Sequence, residues 1–117
     1  MDDRRVEPRL LCADLVDVDW KEKGGKLRRT VANLEDISLS GACLQVDTAI
    51  PLRLAIRIRY PGGELSGVVR YCIYREIGYF VGVEFEEGTK WSQRHFKPQH
   101  LFDPRRLVAR SVQRASG

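Results

Sequence analysis

The sequence predicts a mainly β protein: a small antiparallel barrel of six strands, followed by a short C-terminal helical extension. Three observations support this fold class. The length of 117 residues suits one domain. Turn-forming Gly and Pro residues recur at short intervals, and the segments between them alternate apolar and polar residues as half-buried strands do. Because short antiparallel strands hide their edges most completely by closing on themselves, a barrel is the expected arrangement.

The clearest strand is residues 52–60, LRLAIRIRY, where Leu, Ile and Tyr occupy one face and Ala and Arg the other. The same kind of pattern predicts five further strands, at residues 9–18, 27–36, 41–47, 65–74 and 78–86.

Two of the links predict hairpins, because Lys23-Gly24-Gly25-Lys26 and Pro61-Gly62-Gly63 offer the positive φ angles that tight turns require. Gly67 and Gly82 lie inside strands, where glycine marks a bend, a bulge or a close approach of backbones.

The pattern changes after Gly88. Trp91, His95 and Phe96 approximate a helical face, and Asp103-Pro104 resembles an N-cap followed by proline at the first helical position. A short helix with a narrow apolar stripe is expected to follow, the stripe being Leu107, Val108 and Val112. We therefore divide the chain into a barrel domain, residues 1–88, and a basic C-terminal helical extension, residues 89–117.

Charge is unevenly distributed. The net charge is +4, yet residues 1–93 carry 14 basic and 15 acidic side chains, whereas residues 94–117 carry six and one. The basic excess belongs to the C-terminal tail, so it does not by itself predict a nucleic-acid-binding domain.

Several functional classes lack their usual signals. No apolar run approaches the ~18 residues of a membrane span, and MDDRRVEPRL has no signal-peptide core, so we expect a cytoplasmic protein. Cys12, Cys43 and Cys72 are widely spaced and read as free thiols; with His95 and His100 they show no metal-ligand spacing. Phosphate loops, nucleophile elbows and His, Cys and acid groupings are missing from the sequence. We expect neither an enzyme nor a bound cofactor.

Two short segments stand out. Arg4-Arg5-Val6-Glu7-Pro8-Arg9 places three guanidinium groups just before the first strand, and Asp36-Ile37-Ser38-Leu39-Ser40-Gly41 joins the second strand to the third. Taken singly, the first is an ordinary solvated charge cluster and the second a turn stabilised by Asp and Ser side chains.

In this order, about 30 residues apart, the two segments resemble the PilZ domain, the bacterial receptor module for the second messenger cyclic di-GMP. Arg5 and Arg9 match the family's RxxxR, and Asp36, Ser38 and Gly41 match its (D/N)xSxxG. The resemblance spans residues 4–86, including the six-stranded barrel, and the stretches GVVRY and VGVEF are similar to the family's later strands. The sequence departs from the family's common pattern at position 40, where it has Ser40 and many members have a glycine.

The resemblance implies a cyclic di-GMP receptor whose N-terminal arginine arm folds over the ligand and signals to a separate partner. Arg5 and Arg9 are expected to grip phosphate oxygens or guanine edges, as arginine does better than lysine. Asp36 is expected to accept hydrogen bonds from guanine, Ser38 to donate a hydroxyl, and Gly41 to let the backbone approach the ligand. By the same resemblance, Arg4 favours two stacked ligands per chain.

Two alternatives stay open. A small-barrel nucleic-acid-binding protein is supported by the basic tail and by Arg53, Arg57 and Arg59 on one strand face, although the sequence lacks an aromatic stripe. The other is a PilZ-like barrel that binds no ligand and serves as a protein adaptor, against which the intact motifs argue.

Overall fold

The structure, a computed structural model, describes residues 7–94 and 96–103. They form a closed antiparallel barrel in the order β1-β2-β3-β6-β5-β4, with β1 also paired to β4. The strands are β1 (Leu10–Lys21), β2 (Leu27–Ile37), β3 (Gly41–Val46), β4 (Ala55–Tyr60), β5 (Gly63–Arg75) and β6 (Gly78–Phe85). The predicted fold class, a mainly β protein built on a six-stranded antiparallel barrel, is confirmed.

Glycines shape both predicted hairpins. Gly25 has a φ of 87° in the β1–β2 turn, which the Glu22 amide closes by donating to the Lys26 carbonyl at 2.8 Å. Gly62 has a φ of 99° after Pro61, and Tyr60 pairs directly with Gly63. Proline followed by a glycine of positive φ is the pattern of a type II turn, and it connects β4 to β5 with two residues.

The core follows from the alternation of side chains along each strand. On β1, for example, Val16, Val18 and Trp20 point inward and are buried, and the other strands contribute aliphatic side chains to the same cluster. The most completely buried large side chains are Leu34, Ile37, Leu44, Ile50, Ile56, Ile58, Val18, Val69 and Val81.

Strand β4 begins three residues later than the alternation predicts, at Ala55 and not at Leu52. Arg53 adopts a φ of 67°, its amide donates to the Val69 carbonyl at 2.8 Å, and Leu52 is 56% exposed. The prediction for residues 52–54 is wrong because a left-handed residue cannot continue a strand, although the sequence pattern is unbroken.

Gly67 and Gly82 allow close packing. A Cβ on Gly67 would lie 2.5 Å from the Glu84 carbonyl oxygen, and one on Gly82 would overlap the ring of Tyr71. The ladders are irregular between Leu11 and Asp14, between Leu34 and Asp36, and between Val69 and Tyr71. Of the roles predicted for these glycines, the structure shows close approach at both and, at Gly82, a position opposite the irregularity in β5.

The C-terminal segment packs on the barrel through aromatic side chains. Trp91 is 6% exposed and donates from Nε1 to the Phe96 carbonyl at 2.7 Å, and the rings of Phe96 and Tyr60 stack with centroids 4.3 Å apart. Further along, the Asp14 carboxylate accepts from the amides of Gln99 and His100 at 2.6 and 3.0 Å.

This segment is built of turns and extended chain. Residues 89–94 and 96–103 contain no helix, so Trp91 and Phe96 do not share the expected helical face. Each is held by its own contact, since Trp91 is anchored through its indole N–H and Phe96 stacks on Tyr60. The helix expected after Asp103 lies outside the described residues.

The three cysteines are free thiols, as expected, with Cys43 buried and Cys12 and Cys72 partly buried. Burial raises the pKa of Cys12 to about 12, and it raises that of Cys43 as well. In the part of the chain that the structure describes, no helix is long and apolar enough to cross a membrane.

Candidate ligand-binding site

A bulge in β2 turns Asp36 toward the outside of the barrel. The ladder to β3 shifts register between Leu34 and Asp36, and both Leu34 and Ile37 are fully buried. Without the extra residue, the period of two would aim Asp36 inward behind Leu34. The bulge therefore places a carboxylate on the surface immediately before the turn.

The turn that follows is tied to its own backbone. The Ser38 amide donates to the Gly41 carbonyl at 2.8 Å, and Ser38 is buried. A Cβ on Gly41 would lie 2.6 Å from the Val83 carbonyl oxygen on β6. Glycine is thus required at position 41 by the approach of strand β6, a reason that differs from the expected approach of a ligand.

The end of the N-terminal arm that the structure describes lies across this turn. Arg9 Nη1 contacts Asp36 Oδ1 at 2.5 Å. Glu7 Oε1 accepts hydrogen bonds from the Ser38 hydroxyl at 2.6 Å, the Ser40 amide at 2.9 Å and the Ser40 hydroxyl at 2.7 Å. The RxxxR and DxSxxG segments therefore meet in space through one ion pair and one carboxylate. Arg4 and Arg5 lie outside the described residues.

Hydrogen bonding determines the protonation of Glu7. Partial burial acts to raise its pKa, but the hydrogen bonds from Ser38 and Ser40 and the charge of Arg9 outweigh it and leave the pKa below the usual 4.5. Glu7 is therefore an anion at neutral pH.

A second bulge, in β5, turns two neighbouring side chains outward. The register to β6 shifts between Val69 and Tyr71, so Val69 and Cys72 both pack against the core while Arg70 and Tyr71 are exposed. Arg70 pairs with Glu84 on the adjacent strand.

Tyr71 is fixed from two sides. Its ring covers Gly82, where any side chain would overlap it, and the Cys43 thiol on β3 interacts with its hydroxyl strongly enough to affect the pKa of both groups. Burial, followed by the bond to Cys43, raises the pKa of Tyr71 to about 12, so the phenol keeps its proton at neutral pH. With 39% of its surface exposed, Tyr71 presents a neutral aromatic surface at the site.

These elements enclose a shallow cavity of about 210 Å³. It combines two guanidinium groups, an aromatic ring, a carboxylate and exposed backbone, which suits a ligand that carries both negative charge and flat rings. The lining residues are Arg9, Ser40, Gly41, Arg70, Tyr71, Gly82, Val83 and Glu84.

Four of the six residues predicted for the site, Arg9, Asp36, Ser38 and Gly41, lie together. Sequence reasoning missed another four around the same cavity, namely Glu7, Ser40, Arg70 and Tyr71. Glu7 and Ser40 stand inside the two motifs. Arg70 and Tyr71 reach the site only through a bulge, and the one sequence signal for it is the glycine at position 82 opposite Tyr71.

The arginines of β4 that suggested a nucleic-acid surface are engaged with an acid. Arg57 Nε lies 2.9 Å from Asp19 Oδ1, and Arg59 Nε lies 3.2 Å from Asp19 Oδ2. The two arginines cover the Asp19 side chain, which is only 1% exposed. Arg53, the third arginine of the predicted face, precedes the strand. Much of the positive charge expected on this face is therefore compensated. Within residues 7–94 and 96–103, no three His, Cys, Asp or Glu side chains are grouped so as to hold a metal ion.

Comparison with known proteins agrees with this geometry. The family model of the PilZ domain matches residues 3–98, most of the chain. Among solved structures, the fold is similar to the "PilZ domain with c-di-GMP of YcgR from Escherichia coli", with a TM-score of 0.54 and 18% sequence identity over 70% of this chain and 77% of that one. No curated protein sequence matches. Since the match to the family model covers both motifs and every strand of the barrel, the chain belongs to the PilZ domain family.

Proposed function

We propose that this protein is a receptor for cyclic di-GMP, and that it works by binding the messenger without transforming it. The observation that carries the proposal is the contact between the two motif segments, in which Arg9, a residue that lines the cavity, lies 2.5 Å from Asp36. The YcgR domain of similar fold, which was solved with c-di-GMP, adds support at the level of the family.

The side chains around the cavity suit the parts of the ligand. Arg9 and Arg70 supply guanidinium groups for phosphate oxygens or for the O6 and N7 edge of guanine. Asp36 supplies an acceptor for the guanine N1 and N2 hydrogens, and Ser38 a hydroxyl. The exposed ring of Tyr71 supplies a surface on which a guanine can stack, an interaction worth about 1–3 kcal/mol per base.

The ordering of the N-terminal arm is the proposed output. Arg4 and Arg5 join Arg9 in contacting the ligand, so the arm closes over the occupied cavity and a partner protein recognises the new surface. The protein acts in the cytoplasm, where it meets the bacterial messenger. The contact between Glu7 and Ser38 supports this coupling because it links the arm to the turn, so a ligand that binds the turn also changes the position of the arm.

Isothermal titration calorimetry with cyclic di-GMP tests the proposal, with GMP and a short single-stranded oligonucleotide as controls. We expect micromolar or tighter binding of cyclic di-GMP and no comparable heat from either control. Binding of the oligonucleotide alone would favour the nucleic-acid alternative, in which case the pairing of Arg57 and Arg59 with Asp19 would not prevent contact with phosphates. Binding of none of the three would favour the adaptor.

A further inference from the structure

We propose that Glu7 is an internal competitor of the ligand: its carboxylate occupies hydrogen-bond donors of the DxSxxG turn in the free protein, and it must leave before cyclic di-GMP can use them. This inference rests on the proposed function. It assigns to Glu7 a role that belongs to neither motif, since Glu7 is one of the variable positions between Arg5 and Arg9.

The first step of the argument is the number of hydrogens that the turn can donate. Ser38 has a single hydroxyl hydrogen. Glu7 Oε1 lies 2.6 Å from this hydroxyl, whereas the other acceptor within reach, the Gly41 carbonyl, lies 3.3 Å away. The shorter contact, to a charged acceptor, takes the hydrogen. A ligand that needs Ser38 as a donor therefore has to displace Glu7.

The second step is that Ser40 strengthens the hold on Glu7. Its amide donates to Oε1 at 2.9 Å, and its hydroxyl lies 2.7 Å from Oε1 and 2.9 Å from Oε2. Two donors and the Ser38 hydroxyl thus converge on one carboxylate, as donors of a binding site converge on an oxyanion.

The third step concerns charge and space. An anionic Glu7 beside the cavity repels an incoming phosphate, and like charges brought together disfavour binding. The cavity of about 210 Å³ is also smaller than the ~300–1,000 Å³ of most small-molecule sites. Arg9, which lines the cavity, belongs to the same arm as Glu7, so a movement of the arm that releases Glu7 from Ser38 and Ser40 also enlarges the space open to a dinucleotide.

The test compares the affinity of cyclic di-GMP for the full chain and its variants. Glu7→Gln and Glu7→Ala remove the charged competitor, so we expect each to bind cyclic di-GMP on the order of tenfold more tightly, with a faster association rate. Ser40→Ala weakens the hold on Glu7 and should act in the same direction. In the double variant Glu7→Ala with Ser40→Ala the gains should not add, because both changes break one contact.

Glu76→Gln is the matched control, since it removes the same charge from the turn between β5 and β6, away from the cavity. Its affinity should equal that of the wild type, and unfolding midpoints verify that every variant is folded. If the wild type binds and the Glu7 variants bind equally or more weakly, the competitor role is wrong while the receptor function stands. If neither the wild type nor the Glu7 variants bind cyclic di-GMP, the receptor function itself fails, and this inference with it.

Discussion

Arg9 and Asp36, 27 positions apart in the sequence, form an ion pair at 2.5 Å in which the Asp36 side chain is 21% exposed and that of Arg9 53%. An exposed pair of this kind contributes at most about 1 kcal/mol to stability. The pair therefore matters less for the fold than for what it positions, which is a guanidinium group that lines the cavity and a carboxylate next to that group.

We expect Arg9→Ala, Asp36→Ala and Arg5→Ala each to weaken cyclic di-GMP binding about 10- to 150-fold while leaving the barrel folded. Each change removes a charge-assisted contact, worth ~1.5–3 kcal/mol. Calorimetry measures the affinity, and circular dichroism the fold. Arg28→Ala is the control, because Arg28 pairs with Glu22 near the β1–β2 turn and does not line the cavity. Variants at the site that bind as the control does would remove these residues from the ligand contacts.

Gly41→Ala should lower both stability and affinity. The new Cβ would lie 2.6 Å from the Val83 carbonyl oxygen, so strand β6 has to shift beside the cavity, and overpacking of this kind costs about 1–3 kcal/mol. Chemical denaturation measures the loss. Gly24→Ala is the matched control, since nothing lies within 4 Å of its Cβ position, and we expect a change within about 0.5 kcal/mol. Equal stability of the two variants would contradict the close approach at Gly41.

The stoichiometry should depend on Arg4. With Arg4, Arg5 and Arg9 on the arm, two stacked ligands and their four phosphates can be neutralised, so we expect saturation at two cyclic di-GMP molecules per chain. Arg4→Leu should reduce the ratio to one, with a smaller effect on the affinity for the first molecule. Native mass spectrometry counts the ligands. A ratio of one in the wild type, or an unchanged ratio in the variant, excludes this role for Arg4.

Truncation after Glu87 should destabilise the protein by at least about 3 kcal/mol, because it removes the buried Trp91 and the ring of Phe96 stacked on Tyr60. Thermal unfolding measures the effect. The full chain is the control, because it keeps these contacts and those of Asp14 with Gln99 and His100. A chain that ends at Glu87 and is as stable as the control would refute the packing role of the segment.

The strands were predictable because their alternation reflects burial directly, as in Val16, Val18 and Trp20 of β1. The start of β4 was not, because Arg53 breaks the strand by a backbone angle that carries no signature in its neighbours. The alternation of apolar and polar residues also covers residues 52–54, which lie before the strand begins.

The residues of the candidate site likewise include some that the sequence predicts and some that it does not. The proximity of Arg9, Asp36, Ser38 and Gly41 could be predicted because each motif has a short, local spacing. The outward position of Tyr71 could not be predicted, because it depends on the bulge at Arg70 that reverses the alternation of β5. A bulge adds one residue to a ladder without a distinctive residue type, so only the pairing partner reveals it.

The pairing of β1 with β4 has a consequence for association between molecules. It joins Asp17 through Trp20 to Arg59 through Ile56 and closes the ring, so in the described part of the chain each of the six strands has a neighbour on both sides. An open sheet presents a row of unsatisfied amides and carbonyls that can template strand addition, domain swapping or fibril growth. In this ring such rows are limited to the stretches of the described strands that extend beyond a partner, among them residues 27–32 of β2 and 71–75 of β5, and strand addition is restricted accordingly.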